Sequence, residues 1–517
     1  MPKPISFGKL DSKVVASMEE SRSKPEPEAP FRVAILGDFS GRESRGILDR
    51  SLANRKPLRV DRDNLDEGMG KLGIMMNLPI LGKNSPPIRL RFSELDDFHP
   101  DHLFERLDVF ESLREMRQGL KDPSTFAALT KELQTDRETG SLLAPENREG
   151  SLTKTAGEKT GDLLDQVLQE TQGKVLGTES GRGTSEWDSF LRQIVKPHVS
   201  PDIERQQTEM LASVDAATSE IMRRILHHPD FQGIEAVWRA VHFLVSRLET
   251  DTQLQVYLFD ISKGELAADL SDAEDLRTTG AYKLLVEETI ETPGGEPWVV
   301  VAGNFIFDQT REDAELLGRL AKISSQTGAP FLAMAYPHLL GCQSLAETPD
   351  PRDWRRLADV DGSKAWDLLR SLPEAVYVGL ALPRFLLRLP YGAETDPIER
   401  FDFEEMEAVP EHDNYLWGNP SFACVFLLAR TFSQFGWDLP PGSIQDIEGL
   451  PLHVYKEQGE SRTKPCAEVV LTERAAEAIL DKGFMPVLSF RNQDTIRLAR
   501  FQSLADPPMP LAGRWSE

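Results

Sequence analysis

Residues 31–46 read FRVAILGDFSGRESRG, an apolar run that opens into a glycine-rich, charged turn. A strand feeding a phosphate-binding loop has this texture. A P-loop, however, needs G-x-x-x-x-G-K-[ST], so that backbone N–H groups surround the phosphates, a lysine meets their charge and a hydroxyl holds magnesium. Gly37 is followed four places on by Gly41, then Arg42 and Glu43; Gly41 reaches Gly46 at the right spacing, but Ile47 and Leu48 come next. No G-x-G-x-x-G is present either. The residues support a strand that ends in a turn. His227-His228, just before Pro229, point to different sides of a helix, whereas metal pairs need i,i+3 or i,i+4 spacing on one face; a helix C-cap role fits them better. His242 lies on the next helix with Glu235, and no third ligand is suggested. The run DRDNLDEG at 61–68 looks like a calcium loop, yet Leu65 and Leu72 occupy positions 5 and 12 where oxygen ligands belong. Asp63–Asn64 read instead as a helix cap. Neither G-x-S-x-G nor H-E-x-x-H occurs, so no catalytic constellation stands out and no cofactor or metal is implied.

The elements that would position these residues form an α/β (mixed) pattern with helices packed on mixed sheets. Residues 1–30 hold a short apolar segment, Ile5, Phe7 and Leu10, followed by SRSKPEPEAP. So isolated a strand must pair with something else. Residues 31–135 read as a compact α/β unit: FRVAIL, the alternating IRLRF at 88–92, then one helix from His99–Pro100 with Leu103, Leu107, Phe110, Leu113 and Met116 on its apolar face. Residues 136–185, rich in Gly, Ser, Thr and charge, read as a flexible linker. One amphipathic island, GDLLDQVLQET at 161–171, places Leu163, Leu164, Val167 and Leu168 on one side of a short helix. It either docks into a partner's groove or packs back on its own domain. Residues 186–505 form the largest domain, ahead of a tail at 506–517 that reads as loose. Helices SVDAATSEIMRRILHHP and DFQGIEAVWRAVHFLVSRLET precede buried-type strands at 254–262, 298–307, 330–336 and 375–383. Asn419, Pro420 and Gly436 frame another helix, and AEVVL and FMPVLSF read as strands around TERAAEAILDKG.

Composition narrows the function classes. The chain has 517 residues, 40% hydrophobic and 28% charged, with a net charge of -25. Nucleic-acid binding rests on Lys and Arg neutralising phosphates, so this balance argues against it. Three cysteines lie far apart without C-x-x-C. The N-terminus has no apolar core of signal-peptide type, and FACVFLLA at 422–429 is too short for a bilayer span of ~20 residues. A cytoplasmic protein without membrane insertion is expected.

Taken together, GDFSGR, NRKPLRVDRDNLDEGM and IRLRFSELDDFHPDHL resemble the small subunit (TssB, or VipA) of the type VI secretion contractile sheath. ILHHPDFQGIEAVWRAVHFLV, VAGNFIFD, YVGLALPRFLLRLPYG and HDNYLWGNPSFA resemble its large subunit (TssC, or VipB). These are normally two chains; here both lie in one polypeptide, joined through 136–185. The resemblance implies a mechanical role and not an enzyme: self-association into a helical sheath around an inner-tube protein, attachment to baseplate components, and contraction that drives the tube. It further implies that Ile5, Phe7 and Leu10 belong to an inter-subunit strand, and that Leu163, Leu164, Val167 and Leu168 dock an AAA+ unfoldase (ClpV-like). Asp38, Arg42 and Arg45 are expected to be surface or partner contacts. The family's large subunit continues past VLSFRNQDTIRLARFQSL into a segment that helps build the inter-subunit strand mesh, and this chain stops soon after. Hence a separate chain supplies the strands, the lattice is modified, or the protein is a non-polymerising cap, adaptor or baseplate-proximal accessory. An α/β nucleotide-binding enzyme stands last among the readings.

Overall fold

The structure, a computed structural model, describes residues 5–10, 25–50, 52–80, 87–122, 126, 203–271, 273–355 and 360–515. In chain order the strands are β1 (Phe31–Gly37), β2 (Leu58–Val60), β3 (Ile74–Leu78), β4 (Ile88–Phe92), β5 (Leu254–Asp260), β6 (Val300–Phe307), β7 (Phe331–Ala335), β8 (Val378–Leu382), β9 (Phe385–Leu386), β10 (Trp417–Gly418), β11 (Asp446–Ile447), β12 (Val454–Glu457), β13 (Glu460–Thr463), β14 (Met485–Ser489) and β15 (Ile496–Leu498). The helices used below are α1 (Leu65–Leu72), α2 (Pro100–Arg106), α3 (Glu111–Lys121), α4 (Ile203–Leu226), α5 (Pro229–Arg247), α6 (Lys263–Ser271), α7 (Arg311–Thr327), α8 (Val360–Arg370), α9 (Pro420–Phe435) and α10 (Glu473–Asp481).

One nine-stranded sheet, in the order β11-β15-β14-β8-β7-β6-β1-β5-β2, organises the molecule. The run from β14 to β5 is parallel, and antiparallel strands close both edges. Parallel sheets are covered on both faces, so their strands read as continuous apolar runs. The strand β1 shows this: Phe31, Val33 and Ile35 enter the core beneath α4, α5 and α9, while Ala34 and Leu36 enter the core beneath α6, α7 and α8. It lies between β5 and β6, in register from Phe31↔Leu254 to Gly37↔Asp260 on one side. Strands from both portions of the chain therefore share one sheet.

Several elements differ from the sequence expectations. The helix expected from His99 to Met116 is two, because Leu107 is extended (φ -87, ψ 131) and a 3-10 turn spans Asp108–Phe110. Leu103, Leu107, Phe110 and Leu113 are all buried nonetheless, and the Arg114 guanidinium donates to the Phe104 and Leu107 carbonyls freed at the break. AEVVL forms no strand: only Ala467 bridges Phe385, and Glu468 turns to Arg384. The tail is seated rather than loose. Leu511 is buried, Ala512 N–H donates to the Val376 carbonyl and Arg514 Nε to the Thr327 carbonyl. Asn64 precedes α1 without a side-chain cap bond; Asp61 instead accepts from the Asp63 and Asn64 N–H groups. His227 and His228 N–H donate to the Arg223 and Ile225 carbonyls and so close α4, as their place before Pro229 suggests, and the His228 ring also caps the start of α5 by accepting from Asp230 N–H. Asn419 does cap α9, as its place before Pro420 suggests.

Candidate functional site: the junction of the two portions

The parallel strands β5-β1-β6-β7-β8 follow the doubly-wound order 2-1-3-4-5, whose ligand crevice opens at the carboxyl ends of the first and third strands. Here those are β1 and β6, and the chain's own side chains occupy the place. The Phe39 ring folds back over Gly37, fully buried and edge-on to Trp238 (5.6 Å), whose Nε1–H donates to the Phe39 carbonyl (2.8 Å). The register of β6 shifts between Ala302 and Ile306, and the α9 N-terminus fills that irregularity. Asn419 Nδ2–H donates to the Phe305 carbonyl and Ser421 Oγ–H to the Gly303 carbonyl.

The turn after β1 is then an ionic clasp. Asp38 accepts from Arg42 and Glu43 N–H (2.7 and 2.8 Å), which winds the loop tightly. Gly41 has φ +76°, and a Cβ there would collide with the Met75 carbonyl, so glycine is required. Asp260, at the end of β5, accepts from Phe39 N–H, Ser40 N–H and Ser40 Oγ–H. Burial pushes its carboxyl up, against the hydrogen bond from Ser40 and with the help of nearby Asp38. Glu265 of α6, fully buried, accepts a forked pair from Arg42 (Nε 2.9 Å, Nη2 2.7 Å), one bond from Arg55 Nη2 (2.9 Å) and one from Asp49 N–H (3.0 Å). Burial alone would raise the Glu265 carboxyl; the bonds from Arg42, Ser262 N–H and Asp49 N–H, with the Arg55 charge, hold it below the usual range. Arg45 donates to the Gly41 and Ser40 carbonyls. Asp38, Arg42 and Arg45, each half-buried, therefore make their bonds within the chain and fasten its own loop.

A second ionic cluster lies beside α5. Arg388 is forked between Glu235 (2.7 Å) and Glu405 (2.7 Å), all three buried, and stacks over Tyr391. Arg239 bonds Glu235 and the Tyr391 hydroxyl, and Tyr391 N–H donates to Glu405. His227 Nε2 stands 3.6 Å from Glu405. Burial would raise Glu405, but the Arg388 charge, His227 and the Tyr391 N–H bring it down to about 2. Glu235 is thus an ion-pair anchor and not a metal ligand with His242. Sequence reading missed this cluster because its members lie far apart in the chain. Contacts between the two portions include Arg117 with Asp215 (2.7 Å), Gln207 with the Leu120 carbonyl, and Phe92 and Phe98 edge-on to Phe231.

Glu94, Asp97 and His102 stand close enough together to hold a cation, but Asp97 is already saturated. It accepts from Ser93 N–H and Oγ–H and Glu94 N–H, and pairs with Arg106.

The N-terminal segment lies on its own chain, along α7 and the loop at 273–276. Ile5, Phe7 and Leu10 are half-buried against the second core. Phe7 sits on Gly318, where any Cβ would strike its ring. Lys9 N–H donates to the Glu274 carbonyl and the Lys9 carbonyl accepts from Leu276 N–H, while Arg319 and Lys322 donate to the Ser6 and Gly8 carbonyls. Leu163, Leu164, Val167 and Leu168 lie outside the described residues. No helix among the described residues is long and apolar enough to cross a membrane.

An α/β body whose crevice is filled from within, and whose ion pairs fasten its own elements, has the character of a structural scaffold. Comparison with known proteins agrees. The family described as "EvpB/VC_A0108, tail sheath N-terminal domain" (VipB) matches residues 208–505, and "Type VI secretion system, VipA, VC_A0107 or Hcp2" matches residues 14–155. The type VI secretion system sheath protein TssC1 of Pseudomonas aeruginosa is 34% identical over 366 residues, 68% of this chain and 72% of the relative. The sheath protein TssB1 of the same organism is 26% identical over 103 residues, 19% of this chain and 59% of the relative, so less than two thirds of TssB1 is matched. The chain belongs to the type VI secretion sheath family, with small-subunit-like and large-subunit-like portions in one polypeptide.

Proposed function

We propose that this chain is a fused sheath subunit that polymerises around an inner tube, attaches to a baseplate and contracts to propel the tube. The observation that carries the reading is the shared sheet: β1 and β2 of the small-subunit-like portion flank β5 of the large-subunit-like portion. A body fastened in this way moves as one rigid unit, which is what a packing change between subunits requires. In this reading Ile5, Phe7 and Leu10 leave the α7 groove and link neighbours by strand addition, since main-chain bonds hold while faces slide. Leu163, Leu164, Val167 and Leu168 dock the unfoldase that recycles contracted sheath. The site of action is the cytoplasm.

A non-polymerising accessory is the second reading, favoured by the N-terminal segment lying on its own chain. Negative-stain microscopy of the purified protein, with and without the inner-tube protein, separates the two. Hollow helical tubes support the subunit; a monodisperse monomer under both conditions sinks it in favour of the accessory.

A further inference from the structure

One cleft carries chemistry that nothing above uses. It opens beside α5 with a volume of about 530 Å³; Phe243, Leu386, Leu387 and Leu450 form its apolar lining, with Arg247 and His242 on its wall. The Arg247 guanidinium donates to the Glu448 and Gly449 carbonyls and lies 5.1 Å over the Phe243 ring. Among the described residues it forms no ion pair with a carboxylate, and neither does Arg430, the cation next to it. Burial first, and then Arg430, push the Arg247 pKa down, with Asp494 opposing. Burial and Arg239 do the same to His242, against Asp66 and Asp96, and Asp396 is the carboxylate on the cleft wall. Arg247 and Arg430 are exposed, and two neighbouring guanidinium groups without a carboxylate form a local positive spot on a chain of net charge -25. Guanidinium forks match carboxylates, and an apolar floor beneath them selects a carboxylate-bearing segment with an apolar tip.

The same chain offers such a segment. In the loop 404–411 Val409 is 56% exposed, between exposed Glu407 and Glu411. Those residues are absent from the lining of their own cleft. We propose that the cleft docks the 404–411 loop of a second copy, with Val409 on the leucine floor and Glu407 and Glu411 against Arg247 and Arg430. This rests on the self-assembly read above, and the test keeps the two apart.

Sedimentation velocity of the full chain at low salt reads the contact. Arg247→Glu and Glu407→Arg each weaken self-association by about tenfold, and the double reversal recovers it to within about threefold. Arg247→Ala replaces the reversal if the latter unfolds the chain. Folded single variants that associate as wild type, or a double variant that does not recover, overturn the contact. If wild type stays monomeric, polymerisation fails, and the cleft is read by titrating a fluorescent peptide of residues 402–413. Saturable binding abolished by Arg247→Glu upholds the cleft as an acidic-peptide site; no saturable binding overturns it.

Discussion

Replacing Arg388 by methionine tests whether the cluster beside α5 is held by charge. Methionine keeps much of the aliphatic volume but leaves Glu235 and Glu405 inside the protein. Glu235 retains Arg239, whereas Glu405 retains only the Tyr391 N–H and His227. Breaking a buried pair from one side costs about 3–5 kcal/mol. The depressed pKa of Glu405 agrees in sign and order: Arg388, His227 and the Tyr391 N–H together hold it at about 2 against 4.5 unfolded, roughly 3 kcal/mol at ~1.36 kcal/mol per pKa unit. Because the folded pKa is depressed, this contribution is complete above 4.5 and is lost as the pH falls from 4.5 toward 2. Urea unfolding followed by tryptophan fluorescence should therefore show a gap of about 3 kcal/mol between wild type and Arg388→Met at pH 7. That gap should close below pH 4.5, because protonation removes the buried charge in the variant. A loss under about 1 kcal/mol at pH 7, or a gap independent of pH, would refute the reasoning.

Gly318→Val should expel Phe7 from its seat, so that residues 5–10 exchange amide hydrogens faster while the thermal midpoint of the sheet stays close to wild type; unchanged exchange rejects the seat. Glu265→Leu should cost about 2–4 kcal/mol in the same urea assay, because Arg42 and Arg55 lose their common acceptor. Cys424 and Cys466 are both pushed up to about 12 and Cys342 to about 11, each by burial. Alkylation by iodoacetamide at pH 8 should therefore be slow in the native chain and fast in urea, as read by intact mass. Leu164→Asp should abolish binding of the unfoldase without shifting the circular dichroism; retained binding rejects the docking helix.

Local patterns were legible in the sequence and long-range pairings were not. The apolar runs at 254–262, 298–307, 330–336 and 375–383 became β5 to β8 because a strand buried on both faces must be apolar throughout. The 3.6-residue period of 99–116 marked which residues face the core, but not the break at Leu107, since two helices can bury the same face as one. GDFSGR failed as a phosphate loop on its own residues. That it fastens to Glu265 could not be seen, because the contact spans more than two hundred residues and either partner alone reads as surface charge. The seated tail was missed for a similar reason. Leu511 and Trp515 give no periodic signal among prolines, yet they suffice as anchors.

The central place of β1 also sets the order in which this chain can be built. Phe39 meets Asp260 across 221 residues, and β1 gains its two neighbours only when β5 and then β6 have been made. At a synthesis rate of ~5–20 residues per second, β1 waits on the order of 10–40 seconds on the ribosome with both edges open and all seven residues destined for the interior. An apolar strand exposed for that long is an aggregation hazard. Joining the two portions in one polypeptide confines β1 to a partner that is already on its way, so the union acts on the nascent chain before any assembly begins.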